Sequence, residues 1–218
     1  MTTRKNDHNK SKGTMAIEQH IAELLSTYRA KRRELGVALA DKELMKDPVT
    51  LWCHNLLASE KDYQELDELT RLTIAIGMTE TLAIRDALIV SFLCDREQLK
   101  PDTVLQLTCK PHEQSSVRLL CQAVDGAFTD SRIRPDHTRC SAGLKMLEEI
   151  VSLVPESFQE QPLAVLAYLH WWLGADEGAA LARRALEINE RCTLASIIEA
   201  AFRHYVRPAW VTQPTSSC

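Results

Sequence analysis

From Ile17 onward apolar side chains return every three or four residues, the period of a helix with one buried face. Ile17, Ile21, Leu24, Leu25, Tyr28 and Leu35 make the first stripe, with Arg29, Lys31, Arg32 and Arg33 on the other faces. Gly36 is placed to stop it. At Asp47-Pro48 the aspartate is expected to cap and the proline to open a helix through Leu51, Trp52, Leu56 and Leu57. A third helix runs from about Tyr63 through Leu66, Leu69, Leu72 and Ile76 and ends at Gly77. Thr79 then caps a strongly apolar helix containing Leu82, Ile84, Leu88, Ile89, Phe92 and Leu93, and Asp102 caps a short one through Val104, Leu105 and Leu107.

Positions 113–128 predict a further helix, with Val117, Leu119, Leu120, Ala123 and Val124 on its apolar face. The charged stretch 129–137 holds Pro135 and is the clearest loop. Asp136 caps the next helix, through Leu144, Leu147, Ile150 and Val151, which stops before Pro155. The remainder predicts three helices, 162–173, 176–188 and 193–206, with Gly174 breaking the first pair and Pro208 following the last. The pattern therefore predicts an all-α, irregular bundle of nine or ten helices and no strand. The expected organisation is a disordered polar tail over 1–14, one helical domain over 15–210 and a flexible tail over 211–218.

Composition agrees. Leu (29) and Ala (23) are abundant among 218 residues, whereas Gly (7) and Pro (8) are scarce, a balance that favours helices over a sandwich or barrel. An apolar content of 45% excludes wholesale disorder. The longest nearly apolar run, 163–175, is too short to span a bilayer. Residues 1–14 carry four basic side chains and no apolar segment follows, so they are not a secretory signal. Either Met1 or Met15 could serve as the start. Seven cysteines cannot all pair within one chain, and most lie in helical apolar patterns. They read as reduced thiols of a cytoplasmic protein, with Cys218 exposed on the tail.

The segment from Trp172 to Asn189, with Gly174, Ala179, Ala182 and Ala185, looks like the second half of a tetratricopeptide repeat. Small residues at those places let two antiparallel helices approach closely, so a repeat-like hairpin is expected near 162–189 rather than a repeat array. A broader resemblance rests on Leu163-Ala-Val-Leu-Ala-Tyr-Leu-His-Trp-Trp-Leu-Gly174, Ala185-Leu-Glu-Ile-Asn189, Thr193-Leu-Ala-Ser-Ile-Ile and the upstream Leu82-Ala-Ile-Arg-Asp-Ala-Leu88. These runs resemble the C-terminal helical part of the actinobacterial family called domain of unknown function 4192, over about 66–210. That family's N-terminal α/β portion has no counterpart here. The resemblance implies a shortened, helical-only relative in an actinobacterium or its phage, and it brings no activity.

Candidate chemistry is sparse. Cys109-x-x-His112 and His137-x-x-Cys140 have spacings that suit a tetrahedral zinc site, if the two pairs converge. Arg85 and Asp86, adjacent on a helix, are expected to need separate partners, favouring a salt bridge that fixes helix order over a polar patch in a groove. Trp171 and Trp172 lie about 100° apart. One is expected in the core, the other against a neighbouring helix or partly exposed as a partner anchor. His170 beside them fits a hydrogen-bonded core position. The basic residues Arg29, Lys31, Arg32 and Arg33 could meet nucleic acid. Positions 15–218, however, carry 22 basic and 29 acidic side chains, a net of −7, and no aromatic interleaving for stacking. Glycine-rich phosphate loops, a Gly-x-Ser-x-Gly elbow and a His-Glu-x-x-His zinc helix are absent from the sequence.

The expected function is therefore a non-enzymatic adaptor or regulatory module that binds a protein partner, with no cofactor and no membrane. The alternatives are a zinc- or thiol-dependent module using Cys109, His112, His137 and Cys140, and a nucleic-acid-associated factor using the N-terminal basic residues. A deep cleft in which ionisable side chains converge would overturn the non-enzymatic expectation.

Overall fold

Two helices in this chain are apolar all round, and the rest arrange themselves to cover them. The computed structural model describes residues 3–212, and for 3–12, 14 and 212 the backbone alone. The described residues are helical, without strands: α1 (Thr3–Leu35), α2 (Val37–Leu57), α3 (Glu68–Glu80), α4 (Leu82–Leu93), α5 (Pro101–Cys109), α6 (Gln114–Thr129), α7 (His137–Leu153), α8 (Glu160–Trp172), α9 (Gly178–Ile188), α10 (Thr193–Arg203) and α11 (Ala209–Thr212). A single 3₁₀ turn, Glu156–Phe158, precedes α8. The segment expected to be a polar tail is helical from Thr3, continuing α1. Cys218 and positions 213–217 lie outside the described residues.

The apolar-all-round pair is α4 and α8, and such helices belong in the interior. In α8 every residue from Gln161 to Leu169, and both tryptophans, are buried. Helices α3, α5, α6 and α7 pack on α4, while α9 and α10 wrap α8, and α3 and α7 reach both. One hydrophobic cluster runs through all of them from Ile21 to Ala201. None of the described helices is long and apolar enough to cross a membrane.

Several boundaries differ from expectation, each for a local reason. Pro48 does not open a helix; it sits inside α2. Asp41, Met45, Pro48, Trp52 and Leu56 make one buried stripe at helical spacing. Breaking the helix at Pro48 would forfeit that packing, which outweighs the proline penalty of about 3 kcal/mol. Gly77 does not end α3. It lies against α2, where an added Cβ would stand 3.0 Å from the Met45 sulfur. Thr79 is not a cap either, since its hydroxyl donates back to the Ala75 carbonyl at 3.0 Å. Asp102 sits in the first turn of α5, behind Lys100 at the cap position and Pro101. Asp136 does cap α7, accepting from the Arg139 N–H at 3.0 Å. Gly36 (φ +81°) and Gly174 (φ +75°) supply left-handed turns after α1 and α8.

Candidate functional site

A trough runs along α6, made of two depressions of about 510 Å³ and about 290 Å³ that meet at Asp86 and Leu120. Its floor is α4. One wall is a stripe of α6, Val117, Leu120, Cys121, Val124 and Phe128, spaced so that all five share a face. The helix is about 16 Å long between the first and last of them. In the smaller depression α10 forms the facing wall through Leu194, Ile197 and Ile198. In the larger one α2 and α5 do so, through Val37, Asp41 and the stretch Leu107–Cys109. Val117 (44%) and Ile197 (57%) are among the most exposed large apolar side chains of the protein.

The sequence produces this opening directly. Ile197 and Ile198 are adjacent on α10, so only one can face the core, and Ile198 takes that place. On α6 the buried positions are Ser116, Ala123, Gly126 and Ala127, all small. The larger apolar residues lie on the flank, where Leu120, Val124 and Phe128 are half-buried and Val117 is exposed. At the far end Phe128 rests on Trp171, ring centroids 4.5 Å apart, and Trp171 in turn on Tyr168 at 5.6 Å.

A polar cluster closes the other end. Tyr28 donates its hydroxyl hydrogen to Asp41 Oδ1 at 2.5 Å, and its oxygen lies 3.2 Å from Thr81 Oγ1. Arg32 Nε is 3.4 Å from the same carboxylate oxygen, and its guanidinium stands over the Tyr28 ring at 5.2 Å. Burial raises the Asp41 carboxyl above its ordinary range, against the opposing pull of Tyr28 and Arg32. Burial and the Asp41 carboxylate hold the proton on the Tyr28 phenol. Sequence reasoning missed this cluster, since only the turn at Gly36 brings Tyr28 opposite Asp41.

Ionisable side chains thus converge here: Arg32, Asp41, Asp86, Cys109 and His112 all line the larger depression. Burial pushes the Cys109 thiol up, and the hydroxyl of Thr108 is 3.3 Å from its sulfur. An activated cysteine needs the opposite shift. The buried Ser116 Oγ has no hydrogen-bond partner among the described residues. Arg32, Asp41, Asp86 and His112 add ionisable groups to its apolar walls, so the depression offers charged as well as apolar contacts. Two other depressions hold local contacts of their own charged groups. Asp130 pairs with Arg132 and Asp136 with Arg139 in one, and Lys145 covers the Tyr63 ring in another.

The expected site residues are distributed unevenly. Asp86 lines the trough, and Arg85, which does not, is its direct partner rather than the holder of a separate one. Arg85 Nε and Nη2 donate to Asp86 Oδ1 at 2.9 and 2.6 Å, and Nη1 donates to Gln161 Oε1 at 3.1 Å. The long guanidinium folds back along its own helix, which the spacing argument did not allow. Trp171 and Trp172 are both fully buried, so neither is an exposed anchor. Helices surround α8 on every side, and Trp171 Nε1 donates to the Val206 carbonyl at 2.8 Å. His170 is half-buried rather than a core residue.

Cys109 and His112 line the trough, His137 lines a separate depression beside Tyr63, and Cys140 is in the core. The two pairs are not brought together. No group of three or more His, Cys, Asp or Glu among the described residues could hold a metal ion. Of the basic residues, Arg29 pairs with Glu80 at 2.6 Å, Lys31 with Glu43 at 2.7 Å and Arg32 with Asp41. Compared with protein-family models, with curated proteins and with solved structures, the chain matches none.

Proposed function

We propose that this chain is a helical interaction module, and that the trough along α6 receives an apolar segment of a protein partner. The observation that carries the reading is the part-exposed stripe of α6 facing exposed Ile197 across the α4 floor. Soluble proteins seldom leave such apolar faces contiguous unless something docks there. The length of the stripe suits about three turns of a partner helix. The raised Cys109 thiol favours binding over covalent chemistry. A cytoplasmic setting belongs to the same reading, supported by six free cysteines among the described residues, four of them buried. So does kinship with the domain of unknown function 4192, whose resembling runs are largely packing positions in α4, α8 and α10.

The test is a selection of displayed random peptides of about 14 residues, four helical turns, on the immobilised full chain. Ile197→Glu and Val117→Glu serve as counter-targets. Both side chains are exposed, so both variants are expected to fold as the parent does, checked by circular dichroism. Peptides enriched on the parent and lost on both variants are the expected result. Enrichment that ignores both substitutions rejects the trough as the docking surface.

A further inference from the structure

The α10 half of the trough is not electrically neutral. The charged residues lining it are Asp86 and Asp125, and no Lys or Arg lines it among the described residues. Arg85 is the nearby cation, but it is committed. Both its contacts to Asp86 fall on one oxygen, Oδ1, and its third nitrogen holds Gln161. The Asp86 Oδ2 atom accepts no hydrogen bond among the described residues, and the side chain remains 32% exposed. Glu160 adds a further negative charge next to this clamp. Its carboxylate is held by the neutral donors Gln161 Nε2 at 2.6 Å and Asn189 Nδ2 at 2.9 Å. This half of the trough therefore presents two carboxylates, Asp86 and Asp125, among Ile89, Leu120, Val124, Ile197 and Ile198, with Glu160 lying beyond it on the far side of Gln161.

We infer that the partner segment is a basic amphipathic helix, whose apolar face fills the trough and whose Lys or Arg reaches Asp86 and Asp125. This rests on the docking reading and adds the charge of the occupant. An acidic helix would bring like charges together over a low-dielectric floor, which disfavours it. A purely apolar segment would leave the Asp86 acceptor without a donor once water is excluded. A basic side chain on the polar edge of the docked helix answers both conditions.

The peptide selection decides the matter through its sequences. Enriched peptides are expected to place apolar residues at helical spacing and Lys or Arg on one flank. Binding of one such synthetic peptide is then followed by fluorescence anisotropy against the full chain, Asp86→Asn and Asp125→Asn. Each substitution is expected to weaken it roughly three- to tenfold, more at low salt than at high. Replacing the peptide's basic residue by norleucine should remove most of that sensitivity. Asp125 is exposed and outside the Arg85 clamp, so its variant keeps the test decisive should Asp86→Asn disturb the fold. Enriched peptides with no basic preference, or affinities unmoved by either substitution, overturn the inference and leave the docking reading standing. A selection in which no enrichment depends on Ile197 overturns both. A dimer that Ile197→Glu dissociates would put a second copy in the trough, and would overturn the inference as well.

Discussion

Gly178 of α9 lies so close to α8 that a methyl group on it would stand 2.7 Å from the Ala167 carbonyl oxygen. The ring of Phe202 from α10 closes the same space at 2.9 Å. Three helices therefore meet over one hydrogen atom. The obstructing atom is backbone, which cannot swing aside, so Gly178→Ala forces α8 and α9 apart. We expect a loss of about 1–3 kcal/mol, the usual cost of overpacking, read from urea denaturation followed by circular dichroism. Unchanged stability would mean that the hairpin is looser than described.

The Tyr28–Asp41 pair gives a pH signature. The folded Asp41 carboxyl is raised above its ordinary value, chiefly by burial. The stability contributed by that group is thus fullest below the unfolded carboxyl pKa of about 3.9 and is lost as pH rises through the folded value. Asp41→Asn, which keeps an acceptor for Tyr28, should gain relative to the parent as pH climbs from about 4 towards neutrality. Tyr28→Phe should cost about 1–3 kcal/mol near neutral pH, since it strips a donor from a buried carboxylate. Urea midpoints across that pH range check both. A constant difference between Asp41→Asn and the parent would contradict the sign.

Fold class and most helices are legible in the sequence because the apolar stripes are regular and the breakers few. What is not legible depends on which stripe finds a cover. On α6 the sequence offers Val117, Leu119, Leu120, Ala123 and Val124 as one apolar face, of which Ala123 is buried, Leu119, Leu120 and Val124 are half-buried and Val117 is exposed. Val117, Leu120 and Val124 line the trough. Pro48 misleads for a related reason, since the packing of α2 decides its continuity. On α9 the small-residue logic holds, but shifted: the buried positions are Gly178, Ala182 and Ala185, not Ala179. Separate partners for Arg85 and Asp86, expected from their adjacency, give way to a direct pair because the guanidinium folds back along its own helix.

Arg139 ties two helices by one bond. Its guanidinium is 5% exposed and donates to the Cys94 carbonyl at 2.7 Å, satisfying the end of α4 from the first turn of α7. A charged donor to a carbonyl contributes about 1.5–3 kcal/mol. Arg139→Met keeps most of the volume and removes that donor, so a loss in this range is expected in thermal or urea unfolding. Hydrogen exchange should quicken first at the C-terminal turn of α4. A variant as stable as the parent would show that the contact adds nothing beyond packing.

The buried thiols predict how the fold fails in alkali. Burial pushes Cys53 and Cys140 up to about 12 and Cys192 up to about 11. Unfolded thiols ionise near 8.5. Between those values the folded chain keeps protons that the unfolded chain releases, so stability is intact below about pH 8.5 and falls as pH rises. The limiting slope is about 1.4 kcal/mol per pH unit for each such thiol. Cys140→Ala should flatten the alkaline limb of a stability–pH curve by one thiol's share while lowering its plateau. The same burial sets reactivity. In a Cys218→Ser background at pH 8, the exposed Cys121 should react with a disulfide reagent long before Cys53, Cys140 or Cys192. Prompt titration of the buried three in the native protein would mean that the α4 and α8 cores open readily, against the packing described.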